Sequence, residues 1–226
     1  LREIEAASFV SPKWVPQLAD SPKLWPQLPV RPLYSALVPN RRGLETALSL
    51  GVKRIALFTG ATDGFVKRNI NMTVEESFSL FRDLAAEFRA AQPDGWIRGY
   101  LSVVFECPYD GAVSPARAAD LAQKLLDLGC DEVSLGDTIG KGGPGEVRAL
   151  IEAIEGHAAK ERVAWHFHDT RGRALLNAWT ALQAGFTAFD TSAAGMGGCP
   201  YAKGSAGNLA TEDLVSLLER EGIRTG

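Results

Sequence analysis

The chain has 226 residues, 46% of them hydrophobic and 23% charged, and a formal charge of −3. That balance suits one globular core and offers no basic footprint for nucleic acid. No run approaches the roughly 18 apolar residues needed to cross a bilayer, and no secretory leader is legible, so membrane and export readings are weak.

Short apolar runs rich in Val, Ile and Phe alternate with longer stretches of helical spacing from end to end. Strands are predicted at 3–9, 33–38, 54–60, 97–105, 132–138, 162–169 and 188–193. Helices are predicted at 42–50, 73–91, 115–128, 145–156, 173–184 and 211–221, and the link from 8 to 31 is less regular. Thr73 and Glu76 have capping-box spacing, and Ser114-Pro115 supplies an N-cap followed by proline at the first helical position. Gly51, Gly129 and Gly185 each stand between a helix and the next strand, where a left-handed residue must turn the chain back.

This grammar predicts one domain over 1–226 with a parallel sheet, either an open doubly wound sheet or a (β/α)8 TIM barrel. Polar residues recur towards the strand ends: Glu5, Asn40, Asp63, Asp137, His166, His168, Asp190 and Ser192. A ring drawn from most strands favours the barrel, because an open sheet concentrates its site at one switch point. Seven predicted strands and a start at Leu1 together suggest that the first strand of the barrel is missing.

Trp165-His166-Phe167-His168-Asp169 is the sharpest local pattern. Residues i and i+2 of a strand face the same way, so the two imidazoles make half of a divalent-metal site that oxygen ligands would complete. Two unrelated structural histidines are the competing reading. His157 reads as a solvated side chain. Gly195-Met-Gly-Gly-Cys-Pro-Tyr-Ala-Lys-Gly-Ser-Ala-Gly-Asn208 is a glycine-dense loop after the last strand. Such a loop can close over a substrate, and Cys199 within it is a candidate reactive thiol. Cys107 and Cys130 read as buried and inert; with no CxxC pair, the three cysteines suit a reducing compartment. Gly140-Lys-Gly-Gly-Pro-Gly145 fails the phosphate-loop spacing and reads as a helix-entry turn.

Ala6-Ala-Ser-Phe-Val-Ser-Pro-Lys-Trp-Val-Pro-Gln17, Cys107-Pro-Tyr-Asp-Gly111, Ser134-Leu-Gly-Asp-Thr-Ile-Gly140, the His-Phe-His-Asp-Thr segment and Gly-Gly-Cys-Pro-Tyr-Ala-Lys-Gly occur in order along the chain. Together they resemble 3-hydroxy-3-methylglutaryl-CoA lyases, a family of metal-dependent TIM-barrel enzymes. The resemblance implies cleavage of 3-hydroxy-3-methylglutaryl-CoA to acetyl-CoA and acetoacetate in leucine breakdown, with Mg²⁺ or Mn²⁺ as cofactor. It implies His166, His168 and Asn208 as metal ligands and Cys199 in proton transfer. Glu5 and Asp137, with His166, match acidic and catalytic positions, and Asn40, Ser8, Arg98 and Tyr100 fall near the acyl-CoA. An acyl-CoA is then the small-molecule partner, a homodimer is one assembly to test, and the location is bacterial cytoplasm or, in a eukaryote, the mitochondrial matrix.

The chain also departs from the family. An Arg-Asp-Gly-Leu-Gln segment, with one metal ligand and an enolate-stabilising arginine, has no counterpart here, and the family usually extends by a helical segment past Gly226. Low activity is therefore expected of the chain as written. Arg171 and Arg173 stand where Tyr and Gln are usual, which keeps open a lyase for a longer 3-substituted 3-hydroxyglutaryl-CoA. A non-catalytic acyl-CoA-binding remnant and an aldolase acting on a small 2-oxo acid are the remaining alternatives.

Overall fold

The structure, a computed structural model, describes residues 3–198 and 207–225. Strands rich in Ile, Val, Leu and Phe form wherever apolar runs are short, and amphipathic helices return the chain to the start of the next strand. In chain order these are β1 (Glu3–Ser8), α1 (Ser21–Leu24), β2 (Leu33–Leu37), α2 (Arg41–Ser49), β3 (Arg54–Gly60), α3 (Asp63–Ile70), α4 (Val74–Ala91) and β4 (Trp96–Ser102). They continue with β5 (Glu106–Cys107), β6 (Gly111–Ala112), α5 (Pro115–Asp127), β7 (Glu132–Asp137), α6 (Pro144–Ile154), β8 (Val163–Phe167), α7 (Ala174–Gln183), β9 (Ala188–Asp190) and α8 (Thr211–Arg220).

Among the described residues the main sheet has seven parallel strands in the order β1-β2-β3-β4-β7-β8-β9. It is strongly curled. Strands β4 and β9 are three places apart in the sheet, roughly 14 Å if it were flat, yet Arg98 on β4 donates to Asp190 on β9 at 2.6 Å. Likewise Tyr100 on β4 donates to Glu5 on β1 at 2.9 Å. The sheet is thus TIM-barrel-like, as the alternation predicts, with seven strands among the described residues where a complete barrel has eight, and polar side chains cross its concave face.

Local chemistry sets the helix ends as expected. Thr73 and Glu76 form a reciprocal capping box, the Thr73 amide donating to the Glu76 carboxylate at 2.7 Å and the Glu76 amide to the Thr73 hydroxyl at 3.1 Å; such caps contribute about 1 kcal/mol. The Ser114 hydroxyl accepts from the Arg117 amide. Gly51, Gly129 and Gly185 all have positive φ. On α4, Val74, Phe78, Phe81, Leu84, Ala85 and Phe88 fall on one buried stripe against β3. Trp165, Phe167 and Phe186 pack ring on ring and are all fully buried, each burial stabilising by about 2–3 kcal/mol.

Three elements differ from expectation. The strand predicted to run to 105 stops at Ser102 because Val103 adopts φ 54°, a left-handed conformation that costs a β-branched residue about 1–2 kcal/mol. The Thr138 hydroxyl accepts the Val103 amide at 2.8 Å and holds that turn, which launches the antiparallel β5-β6 hairpin. Asp63–Ile70 is an additional helix; the Asp63 carboxylate caps the following one by accepting from the Val74 amide. The last sheet strand ends at Asp190, because the chain turns there into a 3-10 segment at Ala193–Gly195.

Candidate active site

The expected site residues divide into three groups by what the tertiary structure does with them. Cys199 lies outside the described residues.

The first group is a polar chain across the concave face. Arg98 on β4 is paired with Glu132 on β7, its register partner, through Nε at 2.6 Å, and with Asp190 on β9 through Nη1 at 2.6 Å. Burial works against both charges. The mutual attraction nonetheless holds Asp190 well below the ordinary carboxylate range, together with bonds from His166 and Ser134, and raises Arg98. Tyr100 lies beside Arg98 and donates to Glu5. Burial pushes the Glu5 carboxyl up to about 7, against the Tyr100 hydrogen bond. Glu5 keeps exposed surface at the β1 edge, and water there opposes the rise, so its direction is what carries into chemistry.

The second group is the pair of histidines. His166 lies in β8 and His168 one residue beyond its end. Their Nε2 atoms are 3.3 Å apart, as the i, i+2 spacing predicts. His168 bridges to Asn208, and the Asn208 Nδ2 donates to the carbonyls of Met196 and Gly197. The Asn208 Oδ1 is buried and has no hydrogen-bond partner among the described residues. These donors fit a divalent cation: ligands at right angles, each about 2.1 Å from an ion, lie about 3.0 Å apart, and a buried orphan oxygen needs an electropositive partner. No cluster of three or more His, Cys, Asp and Glu is placed to hold a metal among the described residues; the donors here are two imidazoles and one amide oxygen.

The third group is engaged locally. The Asn40 side chain caps α2 by accepting from the Gly43 amide at 3.0 Å. Ser8 ends β1, its amide donating to the Ser21 hydroxyl and its own hydroxyl oxygen buried without a partner among the described residues. Asp137 accepts from the amides of Lys141 and Gly142 at 3.1 and 2.9 Å, so both carboxylate oxygens hold the turn into α6. Burial pushes Asp137 up to about 6 against those bonds. The helix-entry reading of residues 140–145 is borne out: Pro144 opens α6, and the Glu146 side chain accepts from the Gly143 amide. Gly140, at φ +61°, lies so close to His168 that a Cβ there would stand 2.7 Å from its carbonyl oxygen.

A cleft of about 520 Å³ opens among Tyr109, Ile139, Lys141, Thr170 and Arg171, with Cys107 in its wall. Cys107 and Cys130 are both buried. The Cys107 sulfur accepts from the Thr62 hydroxyl and the Tyr109 amide. Burial pushes the Cys130 thiol up to about 12.

Sequence reasoning did not place Ser134 or Glu132 in the site and gave Asp190 no role. The available signal was polar residues at alternate positions of otherwise apolar strands, which marks a concave face but not who meets whom.

A curled parallel sheet with this polar chain across its concave face and a histidine pair at the end of one strand defines a TIM-barrel-like scaffold with a polar site. The chain belongs to the HMGL-like family, which matches residues 5–226. It is 49% identical over 225 residues to the Pseudomonas aeruginosa 3-hydroxy-3-isohexenylglutaryl-CoA/hydroxy-methylglutaryl-CoA lyase, covering 99% of this chain and 74% of that protein. It is 46% identical over 228 residues to the mitochondrial hydroxymethylglutaryl-CoA lyase of Macaca fascicularis, covering all of this chain and 70% of that protein. The crystal structure of hydroxymethylglutaryl-CoA lyase from Pseudomonas aeruginosa superposes with a TM-score of 0.94 at 48% identity, over all of this chain and 75% of that one.

Proposed function

We propose that this chain is the catalytic domain, over 1–226, of a hydroxymethylglutaryl-CoA lyase that cleaves 3-hydroxy-3-methylglutaryl-CoA to acetyl-CoA and acetoacetate. The observation that carries the reading is the convergence of two imidazole Nε2 atoms, 3.3 Å apart, within a family whose similar members bear that name. His166, His168 and Asn208 would hold Mg²⁺ or Mn²⁺, and the bound cation would polarise the substrate's tertiary hydroxyl.

The reaction is a retro-Claisen cleavage. The hydroxyl loses its proton, the carbon–carbon bond breaks, the alcohol carbon becomes the ketone of acetoacetate, and the bond's electron pair goes to the thioester fragment. That enolate carbon takes a proton to give acetyl-CoA, and Cys199 is the proposed donor. Glu5, at the end of the Tyr100–Arg98 chain, is raised towards the range of a working base. We assign Asp137 to holding the turn beneath the substrate, and Ser8 and Asn40 to its rim. A place in leucine degradation, a homodimer, and a cytoplasmic or mitochondrial location belong to the same proposal; no described helix is long and apolar enough to cross a membrane.

The test is acetoacetate release from the thioester with and without added Mg²⁺ or Mn²⁺, on the chain as it stands and with Cys199→Ala. Cation-dependent release that Cys199→Ala abolishes, with little change in metal affinity, supports the reading. Release at an unchanged rate in that variant removes the proton-transfer role.

A second reading is a lyase for a longer 3-substituted 3-hydroxyglutaryl-CoA. The name of the Pseudomonas aeruginosa relative and the cleft lined by Tyr109, Pro108, Ile139 and Arg171 favour it. Competition between the methyl and isohexenyl thioesters decides it: tighter binding of the longer one makes it the substrate.

A further inference from the structure

We infer that Asp190 is a positioning residue: anchored by Arg98 and Ser134, it holds His166 in the tautomer that leaves Nε2 free to bind a metal. The inference rests on the metal reading of the histidine pair, and adds to it a residue that reading does not use.

Asp190 and His166 are register partners across β9 and β8, and the Asp190 Oδ2 lies 3.4 Å from the His166 Nδ1. A neutral imidazole has one N–H. With an acceptor facing Nδ1 the proton sits there, and the lone pair on Nε2 points at His168. Histidine ligands commonly depend on such a partner for tautomer and ring orientation.

The carboxylate is itself fixed from two sides. Its Oδ1 accepts from the Arg98 Nη1 and its Oδ2 from the Ser134 hydroxyl, both at 2.6 Å. Arg98 cannot swing away, because Glu132 holds its Nε. Four strands, β4, β7, β8 and β9, therefore converge on the orientation of one ring.

The arrangement makes a signed prediction. In Asp190→Asn the Arg98 guanidinium still requires an acceptor, so the amide oxygen turns to it and the amide NH₂ faces Ser134 and His166. A donor opposite Nδ1 moves the ring proton to Nε2 and blocks that atom as a ligand.

The chain has three histidines, so a long-range ¹H–¹⁵N spectrum of ¹⁵N-histidine-labelled protein reads the tautomer of each ring without metal. The expected result is His166 protonated on Nδ1 in the wild type and in Ser134→Ala, and on Nε2 in Asp190→Asn, with His157 signals unmoved. Mn²⁺ titrated into the same samples and followed by electron paramagnetic resonance should bind Asp190→Asn about 10–100-fold more weakly. A wild-type His166 protonated on Nε2 overturns the inference whatever the variant does, as does an Asp190→Asn protein with unaltered tautomer or Mn²⁺ affinity. Mn²⁺ binding that His166→Ala leaves unchanged overturns the metal reading instead, while the metal-free spectra still judge the tautomer lock.

Discussion

Arg98 and Asp190 are 92 residues apart in sequence and 2.6 Å apart in space. Their ion pair spans the concave face from β4 to β9, so it depends on the curl of the sheet. With Glu132 on the other side of the guanidinium, one cation holds two carboxylates away from bulk water. Removing one partner of such a group leaves uncompensated charge. Arg98→Met is expected to lower stability by about 3 kcal/mol, measured as a shift in the urea midpoint at pH 7. A shift below about 1 kcal/mol would mean that water reaches the pair and screens it.

Asp137 gives a pH dependence of definite sign. Its carboxyl is raised from 3.8 to about 6 in the fold. Between those values the folded state keeps a proton that the unfolded chain has lost, so the associated stability is present below about pH 4 and is lost as pH rises through 6. The change is on the order of 3 kcal/mol at most. Glu5, raised from 4.5 to about 7, adds in the same direction. Asp190, which is lowered, acts oppositely, with stability lost only as pH falls through its depressed range. Asp137→Asn should therefore show a flatter decline in urea midpoint from pH 4 to pH 7 than the wild type; parallel profiles would refute the assignment.

Gly140→Ala tests the contact between the turn entering α6 and the histidine segment. A Cβ at this position would stand 2.7 Å from both the His168 carbonyl oxygen and the Thr170 hydroxyl oxygen, at a φ of +61°. The backbone oxygen cannot swing aside, so destabilisation of about 2–4 kcal/mol is expected. Displacement of His168 should also weaken Mn²⁺ binding. Calorimetric melting with a metal titration reads both, and a variant with wild-type values would show that the turn can move freely.

The two buried cysteines should resist modification. Cys107 and Cys130 are both buried, so reagent does not reach either sulfur, and the Cys130 thiol, pushed up to about 12, also keeps its proton. Iodoacetamide at pH 8 should leave both unmodified in the folded protein, and both should react in denaturant. Peptide mass mapping identifies the labelled sites; early labelling of Cys107 would mean that the cleft wall opens in solution.

The amino-acid sequence by itself determined the alternation of strands and helices, the Thr73–Glu76 cap, the glycine stops and the facing of His166 and His168. Each follows from residues within a few positions of one another, where side-chain period and backbone sterics decide the outcome. The stop at Ser102 was not legible, because Val103 disfavours the left-handed conformation it adopts, and the bond that holds it comes from Thr138, 35 residues away. Nor was the role of Asp190 legible, since it needs Arg98, Ser134 and His166 brought together from three other strands. Only the curl of the sheet does that: hydrogen bonding fixes neighbouring strands in register, but polar groups on distant strands meet only when accumulated twist and coil fold the concave face onto itself.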